Sequence, residues 1–311
     1  MADLTYDVVI VGGGIAGLSA GLHTSRSGLR SLVIERMMPG GQVFNAAHIE
    51  NMPGILDPIS GVDLSERFHD QATRSGLEIE MSEVTGIEAD DPYWLVHKHD
   101  GDVRAKALIL AGGSSFKKLE LDNEEELHGS GVSVCATCDG PFFQDQVVGV
   151  VGNGDTALDE ALVLTDYASK VIIFAQTDQL AGQVVLQERV LADPQIEVRW
   201  NTAVTGLIGD DVLDGITTRN TDSGETSQVD LMGLFIFVGL EPNTSYLSDV
   251  VALDKAGHIE TDIWMRTSAK GIFAAGDIRQ NSAALLASSA GDGTTAAVAA
   301  KRYVGSTEWP E

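Results

Sequence analysis

Two cysteines are all that the 311 residues contain, and they stand three apart, at Cys135 and Cys138. A disulfide framework of the kind that holds small secreted domains is thereby excluded. A structural zinc site is disfavoured too, because it wants four ligands and there is no second cysteine pair. Bases are scarce as well: 20 Lys+Arg against 46 Asp+Glu give a formal net charge of −26. With no basic stripe, the chain would repel a polyanion, which excludes nucleic acid as a partner. The acidic excess reads as a solvated surface that keeps the protein soluble. Long apolar runs are also missing. Met1 to Asp7 has no basic stretch, and Val8 to Val11 is too short for a signal peptide or a membrane span, so the expected location is the cytoplasm.

What is present begins with the cysteines themselves. Cys135-Ala136-Thr137-Cys138 has the spacing at which a disulfide opens and closes with little backbone movement, and such a pair lowers the pKa of one sulfur. Asp139, directly after it, is placed to shuttle the proton that thiol–disulfide exchange requires. In a reducing compartment the pair reads as catalytic, not structural. His128 is the nearest helper for a metal, and one histidine does not complete a zinc site. A chain this long exceeds one small core and predicts two domains, and 43% hydrophobic content with 34 glycines fits an α/β protein.

The apolar run ending at Val11 predicts a buried parallel strand, and Gly12, Gly14 and Gly17 follow it as G-x-G-x-x-G. A helix over Leu18 to Ser27, closed by Gly28, leads to a strand from Ser31 to Ile34 that ends in Glu35. The first glycine makes the tight turn, the second admits a pyrophosphate, and the third lets helix and strand pack closely. The helix N-terminus attracts phosphates, and Glu35 can accept from a ribose hydroxyl. A second copy spans Gln146 to Val151, then Gly152-Asn153-Gly154-Asp155-Thr156-Ala157, a helix over Leu158 to Asp166 and a strand over Lys170 to Phe174. Its tip, Phe174 to Asp178, holds no arginine for a 2′-phosphate and no acid at the strand end for a free ribose. Near the end, Gly271 to Asp277 reads as a strand running into Gly-Asp, followed by a small-residue helix from Ser282 to Tyr303.

In order, these pieces resemble the low-molecular-weight thioredoxin reductase family over nearly the whole chain. The likeness is carried by Gly12–Gly17, Gly40-Gly41-Gln42, Glu50-Asn51-Met52-Pro53-Gly54 and Cys135 to Gly140. It is completed by Gly152–Ala157, Gly239 to Thr244 and Ala275-Gly276-Asp277-Ile278-Arg279. It implies an α/β fold of two Rossmann-like, three-layer ββα nucleotide-binding domains, the second inserted in the first. The FAD domain is expected over 1–116 and 245–311, and an NAD(P)-binding-like domain carrying the disulfide over 117–244. Crossovers near Gly113–Leu119 and Gly239–Thr244 are expected to act as hinges for rotation of the inserted domain. Expected FAD contacts are Gly12, Gly14, Ile15, Ala16, Gly17, Glu35, Gln42, Asn51, Val84, Ala111, Gly112, Gly276 and Asp277. Gly152, Gly154, Asp155 and Thr156 are expected to meet a second nucleotide. By the same resemblance Cys138 is the sulfur nearest the flavin, Cys135 attacks the disulfide of a thioredoxin-like protein, and Asp139 is the general acid/base. A homodimer is implied.

Three departures bear on the electron donor. Where NADPH-using relatives carry His-Arg-Arg and a further arginine, this chain has Phe174-Ala175-Gln176 and Gln179-Leu180-Ala181-Gly182. Losing two or three charged hydrogen bonds at ~1.5–3 kcal/mol each weakens NADPH by several kcal/mol. The Arg-Gln that starts the last helix in relatives is replaced around Ala284-Leu285, and the usual Ala-Thr-Gly reads Ala111-Gly112-Gly113. The expected donor is therefore ferredoxin, NADH or a second bound FAD. The alternatives are an ordinary NADPH-dependent thioredoxin reductase and a flavin-binding redox sensor.

Overall fold

Val8-Val9-Ile10-Val11 is apolar at every position, a pattern suited to a strand covered on both faces. In the structure, a computed structural model that describes residues 5–306, these residues are buried in β1 (Thr5–Val11). Helix α1 (Ile15–Arg26) starts three residues beyond β1, earlier than the sequence predicts, and Gly28 turns the chain with φ +79°. The strands β2 (Ser31–Glu35), β3 (Glu78–Met81), β4 (Val84–Asp90), β5 (Tyr93–Lys98) and β6 (Val103–Leu110) follow, with α2 (Gly61–Thr73) between β2 and β3. Ser60 caps α2 by accepting from the Asp63 N–H at 3.0 Å. The sheet runs β3-β2-β1-β6-β5-β4, parallel from β3 to β6 and antiparallel beyond.

By its packing the chain divides into two units, Met1–Ser115 with Glu241–Glu311, and Phe116–Leu240. The crossing strands are β7 (Ser114–Phe116) and, on the return, Leu240–Pro242. The second unit opens with two short helical turns, α3 (Glu124–Leu127) and α4 (Ala136–Asp139), separated by β8 (Val132–Ser133). Strand β9 (Val147–Val151), helix α5 (Asp155–Leu164), strand β10 (Lys170–Phe174), helix α6 (Val184–Ala192) and strand β11 (Ile196–Arg199) form the second Rossmann-like half. An antiparallel meander follows, β12 (Thr202–Ile208), β13 (Gly215–Asn220) and β14 (Thr226–Asp230), before β15 (Gly233–Ile236) returns to the parallel sheet. That sheet is ordered β11-β10-β9-β15-β8. Its core, which includes Val151, Ile172, Phe174, Leu234 and Ile236, is closed by Val204, Ile216 and Val229 of the meander.

Back in the first unit, the return strand is β16, and β17 (Ile272–Ala274) pairs in parallel with β6 before α7 (Leu286–Ser306) ends the described chain. The sequence starts this helix at Ser282, but Asn281 and Ala284 have φ +58° and +50°, and the Ser282 hydroxyl accepts from the Ala284 N–H at 3.2 Å. These two left-handed residues and the serine bond hold 279–285 out of the helix. Alanines on α7 (Ala296, Ala299, Ala300) and α1 (Ala16, Ala20) share one buried cluster with Val8, Ile10 and Phe273. The approach is so close that a Cβ on Gly293 would collide with the Ala16 carbonyl. Asp292, one residue before, takes the Arg279 guanidinium at both oxygens and the Gly276 N–H, so a carboxylate inside a small-residue helix is fully employed. Gly293→Val should therefore lose about 3 kcal/mol through overpacking, read as a lower urea midpoint, whereas Gly291→Ala on the open face should be neutral or better.

Candidate active site

Cys135 and Cys138 form a disulfide, with Cα atoms 5.3 Å apart. The bond closes a single helical turn: Cys135 is the N-cap of α4, its Sγ accepts the Cys138 N–H at 3.1 Å, and its carbonyl accepts the Asp139 N–H at 3.1 Å. Two side chains that the sequence did not single out grip this turn. Buried Ser133 accepts the Cys135 N–H at 3.1 Å and donates its hydroxyl to Asp139 Oδ2 at 2.6 Å. Glu160, on α5, accepts the Ala136 N–H at 2.5 Å. The two cysteines differ in exposure, Cys135 being 7% exposed and Cys138 exposed. Phe142, four residues past Cys138 in sequence, is 77% exposed.

Glu160 is 8% exposed. Desolvation pushes its carboxyl up from 4.5 to about 7, the Ala136 N–H pulls it back, and the like charge of Asp159 adds to the rise. Its signal in the sequence is an acid on the stripe Ala157, Ala161, Leu164, the face that α5 buries.

In the first unit the glycine turn is built by close approach. A Cβ on Gly12 would strike the Ala111 carbonyl, and one on Gly17 would strike the Gly12 carbonyl. Helix α1 carries no acid in its first turn and Gly14 offers no side-chain cap, so the leading N–H groups of Ile15, Ala16 and Gly17 face outward for an anion. Glu35 accepts the Gly13 N–H at 2.6 Å and the Met37 N–H at 2.9 Å, which fixes its carboxylate at the tip of β2 with lone pairs to spare. Gln42 Nε2 donates to the Ser114 carbonyl. The hydroxyls of Ser65, beside Gly40, and Ser114 are buried without a partner among the described residues. Burial raises the pKa of Asp277, against the pull of the Ser282 and Ser289 hydroxyls at 3.2 Å each. An uncapped helix N-terminus, a side-chain-free turn and orphaned hydroxyls fit a dinucleotide such as FAD. Asn51 is exposed, and Val84 leans on the cluster around Val9 and Ile34.

The second glycine turn repeats the steric device: Gly152 has φ +139° and a Cβ there would strike the Phe237 carbonyl. Its surroundings differ. Asp155, in the first turn of α5, accepts the Gln183 N–H at 2.5 Å and the Gln183 amide at 3.0 Å, while Thr156 is exposed. The Asn153 carbonyl accepts from Ala181 at 2.8 Å and Gly182 at 3.2 Å, so the loop after β10 folds back on the turn. The sheet does bring one arginine to the tip. Arg199 pairs across from Phe174, but its guanidinium lies 5.8 Å over that ring and bonds Glu197 at 2.7 Å, so the nearest base is already spoken for.

Residues 6–300 match the family model of the pyridine nucleotide-disulphide oxidoreductases. The chain belongs to this family. Among its members it is 40% identical to the thioredoxin reductase of Treponema pallidum, over 97% of this chain and 98% of that one. The solved thioredoxin reductase of Lactococcus lactis superposes with a TM-score of 0.94 at 40% identity, over 96% of this chain and 99% of the other. A ferredoxin-flavin thioredoxin reductase from Clostridium acetobutylicum is more distant, with a TM-score of 0.53 and 27% identity over 97% and 98% of the two chains. With these relatives and this disulfide, the chain is a disulfide oxidoreductase of the low-molecular-weight thioredoxin reductase class. Among the described residues no helix is long and apolar enough to cross a membrane, and no cluster of metal-ligating side chains occurs.

The raised carboxyl of Glu160 has a stability consequence. The folded oxidoreductase keeps a proton on Glu160 that the unfolded chain releases near pH 4.5, so the stability present below that pH is lost as pH rises towards about 7. Glu160→Gln should remove this loss, gaining roughly 3 kcal/mol on wild type between pH 4.5 and 8. Urea unfolding across that range checks it, and parallel curves for the two proteins would contradict the assignment.

Proposed function

We propose that the chain is an FAD-dependent thiol–disulfide oxidoreductase that reduces the disulfide of a thioredoxin-like protein, drawing electrons from a donor other than NADPH. The observation that carries the activity is the Cys135–Cys138 disulfide on a turn held by Ser133 and Glu160. FAD, when bound, supplies a two-electron carrier able to reduce a disulfide. It would be held by the first unit, with 1–116 and 245–311 as its domain: the α1 N-terminus at the pyrophosphate, Glu35 at the ribose, and Gln42, Asn51, Val84, Ala111, Gly112, Gly276 and Asp277 around the rest. Residues 117–244 would be the inserted domain, built on the unit Phe116–Leu240. Two such chains would pair as a cytoplasmic homodimer.

The division of labour follows the resemblance, with Cys138 the sulfur nearest the flavin and Cys135 the one that attacks the partner. The Cys135 thiolate attacks a partner sulfur, the partner's S–S bond breaks, and the leaving partner sulfur takes a proton. Cys138, whose N–H meets the Cys135 sulfur, then attacks Cys135, re-forming the internal disulfide and releasing the second partner thiol. Asp139, oriented by Ser133, is the residue nearest in sequence to deliver those protons.

The donor reading rests on charge. From Phe174 to Gln183 there is no base, and Arg199 is bound to Glu197, so a 2′-phosphate would meet no free guanidinium. Ferredoxin, NADH or a second FAD at Gly152, Gly154, Asp155 and Thr156 remains, and the ferredoxin-flavin relative supports the first. The ordinary NADPH-dependent reading is favoured by the pyridine nucleotide family match. Anaerobic titration separates them: stoichiometric NADPH should leave the flavin yellow while dithionite bleaches it, and bleaching by NADPH within seconds would overturn the donor reading. The FAD-to-chain ratio distinguishes one bound flavin from two.

Trapping tests the cysteine roles. Cys138→Ser should retain FAD, lose turnover by more than 100-fold, and accumulate a mixed disulfide between Cys135 and thioredoxin. Cys135→Ser should form none, and the reverse pattern would give the attacking role to Cys138.

A further inference from the structure

The turn that carries the redox pair has a carboxyl group bonded to its backbone from below. Glu160 reaches from the buried face of α5 to the N–H of Ala136, the residue next to Cys135, and both residues are shielded from water. The charges around it are few. On α5 the like charge of Asp159 acts on it. The turn that it grips carries the two sulfurs and Asp139, the latter engaged with Ser133. Strand β9 offers no titratable side chain, β10 offers Lys170, which is engaged with Glu197, and α6 carries Glu188 and Arg189.

We propose that Glu160 is a positioning residue for the redox pair: its carboxyl takes up a proton as the Cys135–Cys138 disulfide is reduced, and so sets the pH dependence of that disulfide's midpoint potential. The proposal rests on reading Cys135–Cys138 as the working disulfide. Two electrons, from the bound flavin in the enzyme or from a dithiol in vitro, break the S–S bond. One sulfur takes a proton, the other remains a thiolate, and the second proton goes to the Glu160 carboxylate. Thiolate and carboxylate would otherwise meet at one turn, where Cys135 and Glu160 are both buried and like charges interact strongly. The raised carboxyl places this exchange in the neutral range.

The test uses the full-length, FAD-loaded protein equilibrated with reduced and oxidised dithiothreitol, with free thiols counted by alkylation and mass. Glu160→Gln keeps an oxygen for the Ala136 N–H and removes the titration. At about pH 6 wild type and variant should share one equilibrium constant for disulfide reduction. At about pH 8 the variant should be easier to reduce by ~5-fold, which is ~20 mV for a two-electron couple. A pH-independent offset, or no difference at either pH, would overturn the proposal. A second readout needs no variant. The reduced-minus-oxidised infrared spectrum of wild type near pH 7.5 should gain a protonated-carboxyl band, and a spectrum without that gain rejects the linkage. Dithiothreitol reaches the pair without flavin donor or thioredoxin. Failure to turn over thioredoxin would thus sink the proposed function while leaving the linkage measured on its own.

Discussion

Backbone meeting backbone with no Cβ between is the constraint on which this molecule depends. Glycine at position 17 lets α1 start against the Gly12 carbonyl, and glycine at position 12, with φ +102°, lets β1 turn under Ala111. Any side chain at either place would force helix and strand apart, and with that the first-turn N–H groups of α1 would no longer converge on one spot. The far side of α1 is closed by the same means, Gly293 of α7 lying on the Ala16 carbonyl. In the second unit Gly152 repeats the turn, while Ala157 takes the third position because its methyl group fills the space beside Gly152. Steric permission, more than any polar contact, makes both units nucleotide-shaped.

Shape is shared between the two turns, and electrostatics is not. The first leaves its helix N-terminus without acid or cap. The second sets Asp155 in the first turn of α5 and ties that carboxylate to Gln183. A helix N-terminus that already faces a carboxylate offers less to a phosphate, and here the loop that might have brought cations brings amides. The same fold element thus carries two different electrostatic settings through a few side chains, which is why fold alone does not decide the electron donor.

The strand–glycine–helix patterns were legible because their causes are local: an apolar run, a turn only glycine permits, and an acid at the next strand's end. Glu35 shows this, its carboxylate reaching the Gly13 N–H across the turn. Helix α7 was legible in kind but not in its start, since a serine hydroxyl and two left-handed residues hold 279–285 apart from it. Tertiary facts stayed hidden. Arg199 reaches the tip of β10 only through the pairing of β10 with β11, a neighbour that no reading along the strand reveals. Ser133 and Glu160 looked like ordinary surface-prone residues until the fold buried them against the Cys135 turn. The unequal exposure of Cys135 and Cys138 is likewise a property of packing, not of spacing.

The acid excess and the engagement of Arg199 share one physical origin. With 46 acids and 20 bases, a base near any carboxylate finds a partner before a ligand arrives. Lys106 holds Asp7, Lys98 holds Glu80, Arg279 holds Asp292, and Glu197 draws both Lys170 and Arg199. The exposed pairs among these contribute little to stability, but each occupies a cation in geometry. At the tip of β10 that occupation has a functional edge. To bind a dianionic phosphate, Arg199 would have to leave Glu197 and its place over Phe174, so the ligand must first offset the loss of an existing pair. In so acidic a chain, an arginine that the sheet delivers to the strand tip arrives already paired.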